Sequence, residues 1–103
     1  MKTKTVYTSA LNYAKRVRIL VCEYQDGTLY VGLTTMSGED YCDITTHIEP
    51  LAGNLGYIKL HSEAERFAIE QGLVGEPLSC TVSGYNVYNL YKFNIEGGKF
   101  HDC

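Results

Sequence analysis

The sequence predicts an α+β fold: a mainly antiparallel sheet of about five strands with one helix packed on one face, in a single domain spanning 1–103. Two observations predict the sheet. Glycine-bearing turns at Asp26-Gly27 and Gly38-Glu39 separate runs rich in β-branched and aromatic residues. A third predicts the helix, because "HSEAERFAIEQG" alone carries helical spacing with both a start and a stop signal.

No element is assigned to residues 1–15. "RVRILVCEYQ" and "TLYVGLTTM" flank Asp26-Gly27, the dipeptide favoured in a two-residue type I′ hairpin turn. That loop length sets Tyr24 against Leu29, Cys22 against Val31 and Leu20 against Leu33, so one face is apolar. The next turn, "SGED", reads as a Gly-first type II′ connection at Gly38-Glu39 into "YCDITTHI". It sets Leu33 against Ile44, Thr35 against Cys42 and Leu29 against Ile48, extending the same face across a third strand. "LAGNLG" is a turn-rich connector without the lysine ending of a phosphate loop, and it leads into a short strand, "YIKL".

Ser62 and Glu65 form a capping box, and Gly72 supplies the stop of a helix from Ser62 to about Leu73. Ala64, Phe67 and Ala68 make its apolar stripe, widened by Ile69 and Leu73, and that stripe needs a sheet to cover. "LSCTVSGYNVYNLYKFNI" reads as one strand broken near Ser83-Gly84 or as a hairpin turned there. Tyr91, Phe93 and Ile95 share the core face of its second half, with Tyr88, Lys92 and Asn94 on the other.

The same registers define an outer face. Glu23 stands opposite Tyr30, and Tyr30 opposite His47. Asp43 lies in a neighbouring row and Tyr41 at the far end. Gly32 is read as a gap where a ligand or a second backbone comes close. Glu23, Tyr30, Tyr41, Asp43 and His47, with Tyr88 and Lys92 of the closing strand, are therefore the candidate ligand- or partner-binding residues. Tyrosines suit such a half-wet surface, since a ring stacks while its hydroxyl stays solvated. The helix N-terminus, with Lys59 and His61, is a second candidate for an anion, opposed by Glu65 and by self-capping.

No catalytic residues are assigned. His47, His61 and His101 have no spacing that ties them to a nucleophile, and no carboxylate pair marks a cleft. Cys22, Cys42, Cys80 and Cys103 form no C-x-x-C pair, so neither a metal site nor any cofactor is expected. Three read as small buried thiols and Cys103 as exposed. A formal charge of −3 leaves no basic field for a phosphate backbone, so general nucleic-acid binding is not expected. "MKTKTVYTSA" lacks the apolar run of a signal peptide, and no long apolar segment exists, so the chain is expected in the cytoplasm, without a membrane partner.

From Leu29 to Ile95 the order of features, namely a strand, an "EPL" loop, a short strand, "EAERFAIEQGLVGEP", a glycine turn and "YNLYKFNI", resembles an uncharacterised domain-of-unknown-function family of small proteins from phages and conjugative elements of gut Firmicutes. The resemblance implies a phage or mobile-element protein that counters defence inside the host cell. It transfers no site residues, because the shared motifs are structural. The expected function is thus a non-catalytic binding protein that sequesters a small nucleotide-type signal, with a protein-binding inhibitor of a host defence complex as the alternative and a small nucleotide-converting enzyme as a third. A homo-oligomer is expected, formed through the tyrosine-bearing outer face or an exposed strand edge.

Overall fold

The computed structural model describes residues 1–95 and 100–102. Its elements are β1 (Lys2–Tyr7), β2 (Arg16–Glu23), β3 (Leu29–Thr34), β4 (Asp40–Asp43), β5 (Leu55–Lys59), α1 (Glu63–Glu70), β6 (Ser79–Ser83), β7 (Asn86–Lys92) and β8 (His101–Asp102). The fold is α+β and every strand pairing is antiparallel, but the strands divide between two sheets. A five-stranded sheet runs β4-β3-β2-β1-β8, and a three-stranded sheet runs β5-β7-β6. A bridge in which Thr46 donates its N–H to the Tyr57 carbonyl (2.8 Å) ties the first sheet to the second. The expectation of one sheet of about five strands is corrected accordingly. No helix among the described residues is long and apolar enough to cross a membrane.

The first hairpin differs from expectation by one residue, with large consequences. Only Gly27 has positive φ (+85°), whereas a type I′ turn needs positive φ at both central residues. The Gly27 amide instead donates to the Tyr24 carbonyl (2.9 Å), and the Tyr24 amide to the Thr28 carbonyl (2.8 Å). The loop therefore holds three residues, Gln25 to Gly27, and ends in a left-handed glycine. Asp26 stiffens it by accepting the Thr28 N–H at 2.9 Å. Val21 faces Val31, Ile19 faces Leu33 and Cys22 faces Tyr30. A one-residue slip moves every side chain of a strand to the other face. Val17, Ile19 and Val21 thus line the core, while Leu20 and Cys22 are only half-buried.

The second turn repeats the device. Gly38 is left-handed (φ +91°) and Thr35 closes onto the Glu39 carbonyl (2.8 Å), so this loop also holds three residues. A bulge between Leu33 and Thr34 then sets Leu33 against Cys42. Ile44 still reaches the core, as expected, at 1 % exposure. The third turn resolves an alternative left open by the sequence: 79–92 is a hairpin, with Ser83 paired to Asn86 across Gly84-Tyr85.

Core side chains come from both sheets and from α1. Leu29, Val31 and Leu33 of β3 and Ile58 of β5 pack with Phe67, Ala68, Tyr91, Phe93 and Ile95, all buried. Helix α1 is capped as expected, with Ser62 accepting the Glu65 N–H (3.1 Å) and Glu65 accepting the His61 N–H (2.9 Å). Self-capping therefore occupies the helix start that was a candidate anion site. Ile69, expected in the buried face, is 54 % exposed, because α1 covers the sheets with a narrower stripe. Of the cysteines read as buried, Cys22 and Cys42 are half-buried and Cys80 is exposed on β6, an edge strand. Cys103 lies outside the described residues.

Candidate functional site

The β2–β3 loop and the segment after β4 bring together three rings and two carboxylates. Tyr24 stands edge-on to Tyr30 (centroids 5.5 Å apart) and edge-on to His47 (4.6 Å). The sequence sets this up through the three-residue loop, which closes the hairpin at Tyr24 and Thr28, puts Tyr24 on the same face as Tyr30 and places Asp26 2.7 Å from His47 Nε2. The Tyr30 hydroxyl donates to Asp43 Oδ1 at 2.8 Å, across the β3–β4 pair. Tyr24 shares a hydrogen bond with Thr45, whose Oγ1 also accepts the Val31 N–H (3.0 Å). An open depression of about 430 Å³ lies against Tyr24, Gln25, Asp26 and His47.

Electrostatics make this a ledge of neutral phenols beside one firm anion, Asp26. Hydrogen bonds from Thr28, and then from His47, hold the Asp26 carboxyl down at about 2. Burial raises both phenols above their usual range, with Asp43 adding to the effect on Tyr30. Asp26 thus stays an anion at neutral pH, and Tyr24 and Tyr30 stay hydrogen-bonding hydroxyls.

Of the seven candidate residues, the structure gathers Tyr30, Asp43 and His47 here. The other four lie elsewhere. Glu23 shares the inward parity of Val21 and pairs with Leu29 rather than Tyr30. It lines a separate hollow of about 460 Å³ with Lys2, Cys22, Leu29 and Ile95. Tyr41 is the extra residue of the β4 bulge, packs against the core and accepts the Tyr13 N–H (3.1 Å). Tyr88 and Lys92 belong to the second sheet, opposite Lys59 and Leu55. The row Glu23, Tyr30, His47 does not form, because the register slip moves β2 by one residue.

Gly32 is also corrected. A Cβ there would stand 2.6 Å from Tyr30 Cζ, so the ring of Tyr30 already covers the glycine. An aromatic folded over a glycine two residues along its own strand fills the gap in which a ligand had been expected.

Sequence reasoning missed Tyr24 and Asp26. Their signal was present in the loop: Asp before Gly also fits a type I turn followed by a left-handed glycine, which would have aimed Tyr24 outward. Among the described residues no hydroxyl or thiol is hydrogen-bonded to His47, and no group of three His, Cys, Asp or Glu side chains could hold a metal ion. The arrangement can stack, accept hydrogen bonds and attract a cation. No family model, curated protein or solved structure matches the chain.

Proposed function

We propose that the protein is a non-catalytic binding protein of a phage or mobile element, acting in the host cell as an inhibitor that docks a host defence protein on the Tyr24, Tyr30 and His47 ledge. The observation that carries this reading is the pairing of two half-buried tyrosine rings and the exposed His47 ring with two carboxylates, Asp26 and Asp43, one of them ionised down to about pH 2. Those carboxylates oppose a phosphate, which makes a nucleotide the less favoured occupant. They suit an arginine or lysine on a protein surface, whose charge meets Asp26 and Asp43 while its stem lies along the tyrosines. The mobile-element context rests on the resemblance of 29–95 alone.

The test is co-purification from a host that carries the intact defence system, comparing the wild type with Tyr24→Ala, Tyr30→Ala and Asp43→Asn. A host defence protein retained by the wild type and lost from all three variants supports the reading. Calorimetry against linear and cyclic nucleotides is expected to show no heat. A saturable nucleotide signal abolished by Tyr30→Ala would replace inhibition by sequestration, and turnover of the nucleotide would make the protein an enzyme. Equal protection of phage by the wild type and all three variants would remove the ledge as the site.

A further inference from the structure

A second, independent surface lies on the opposite sheet. From Pro77 to Tyr91 the chain contains no charged residue, although charged residues are 20 % of the whole. This stretch is the β6–β7 hairpin, and β6 is the edge of its sheet. Edge strands in soluble monomers are normally blunted by lysines, inward-pointing charges or strong bulges across the exposed edge. Here the edge instead exposes apolar groups: Leu78 is 60 % exposed, Val82 70 %, and Tyr85, at the tip, fully.

The hydrogen-bonding groups of that edge follow from the turn. A two-residue turn is closed by bonds between Ser83 and Asn86, and antiparallel bonding alternates along the strand. Thr81 then bonds to β7, while Cys80 and Val82 point their N–H and C=O groups away from it. The amide of Leu78 is already used by the Leu90 carbonyl (2.7 Å), so the outward series ends at Cys80.

We infer that β6 pairs with β6 of a second copy of this chain, antiparallel and two-fold about Thr81, joining two three-stranded sheets into one. In that register Cys80 meets Val82 of the second copy and Val82 meets its Cys80, so the outward-pointing groups of both residues are satisfied reciprocally. The same operation lays the tip Gly84-Tyr85 of each copy over Leu78 and Pro77 of the other, covering the most exposed tyrosine and leucine of the hairpin together. No charged residue lies between Pro77 and Tyr91, so no like charges meet across the axis. A foreign strand would satisfy the backbone equally, but only a second copy supplies the matching tyrosine for Pro77 and Leu78. The contact is small, which makes it a concentration-dependent dimer.

The test is sedimentation velocity of the full chain from low to high micromolar concentration, beside Val82→Lys and Tyr85→Ala. Both positions are exposed, and unchanged circular dichroism verifies that the variants fold. The wild type is expected to shift from monomer to dimer with concentration, Val82→Lys to stay monomeric, and Tyr85→Ala to need several-fold more protein. In a Cys103→Ser background, a short bis-maleimide should link Cys80 to Cys80, as mapped by peptide mass, and should fail to do so after Val82→Lys. A wild type that stays monomeric throughout, a dimer indifferent to both substitutions, or a monomer that captures only a foreign strand would each overturn the inference.

Discussion

Replacing Glu65 by alanine tests how α1 is joined to the second sheet. Glu65 is buried, and its two oxygens accept from three donors: the His61 amide (2.9 Å), the Tyr91 hydroxyl (2.8 Å) and the Asn89 side-chain amide (3.1 Å). Losing the capping-box bond costs about 1 kcal/mol. It also frees His61, whose positive φ (+59°) is unusual for a side chain other than glycine. The Tyr91 hydroxyl, on a residue only 2 % exposed, loses its acceptor at a cost of about 1–3 kcal/mol, and half-buried Asn89 adds a smaller amount. Glu65→Ala should therefore destabilise by about 2–4 kcal/mol, a large part of a typical domain's stability. Tyr91→Phe alone should cost about 1–2 kcal/mol, since Glu65 keeps two donors. The double variant should cost little more than Glu65→Ala, because the phenol without an acceptor is then gone. Urea unfolding followed by circular dichroism measures all three, the chain having no tryptophan. A cost under about 1 kcal/mol for Glu65→Ala, or simple additivity of the two changes, would refute the account.

Acid should act through Glu70, which hydrogen bonds from Thr8, then from Ser9, hold at about 2, below an ordinary 4.5. Its contribution is present above the ordinary value and lost as pH falls toward 2. Glu70→Gln should flatten the fall in stability between about pH 5 and pH 2, modestly because the carboxylate is solvent-screened; an unchanged slope in acid titration would argue against it. Burial, with Glu63 and Asp43 adding, pushes the Cys42 thiol up to about 11, so timed alkylation at pH 8 should label exposed Cys80 first and Cys42 more slowly. Equal labelling rates would contradict that placement. Gly32→Ala should cost about 1–3 kcal/mol by driving Tyr30 off the strand, and less than half of that in a Tyr30→Ala background, as read from a double-mutant cycle.

Elements whose signals were local were legible in the sequence. The capping box of α1, the burial of Phe67 and Ala68, and the inward set Leu29, Val31 and Leu33 all follow from spacing over a few residues. So does the burial of Tyr91, Phe93 and Ile95. The division into two sheets was not legible, because it depends on which strands become neighbours. β7 pairs with β5, about thirty residues earlier, rather than joining β4, and no local pattern in either strand encodes that choice.

The site was legible only in part, for a reason lodged in one residue. Asp26-Gly27 serves a two-residue turn if Asp26 takes positive φ and a three-residue loop if it does not. β2 is apolar at both parities: Val17, Ile19 and Val21 on one, Leu20 and Cys22 on the other. Burial patterning therefore supports either register, and the loop backbone decides. Asp26 decides it through its side chain. Accepting the Thr28 amide holds the loop in the three-residue form, and the same carboxylate then reaches His47. Tyr30, Asp43 and His47 lie together as the sequence placed them because β3, β4 and the chain after it kept their parity; Glu23 lies elsewhere because β2 did not, and Tyr24 was hidden by the same slip. The residue that sets the hairpin register is thus also a member of the ledge, so Asp26→Ala should disturb both. It should weaken partner binding together with the hairpin, whereas Asp43→Asn should weaken binding while amide exchange across β2–β3 stays as slow as in the wild type. Slow exchange in Asp26→Ala alongside full loss of binding would separate the two roles and leave the loop held by Gly27 alone.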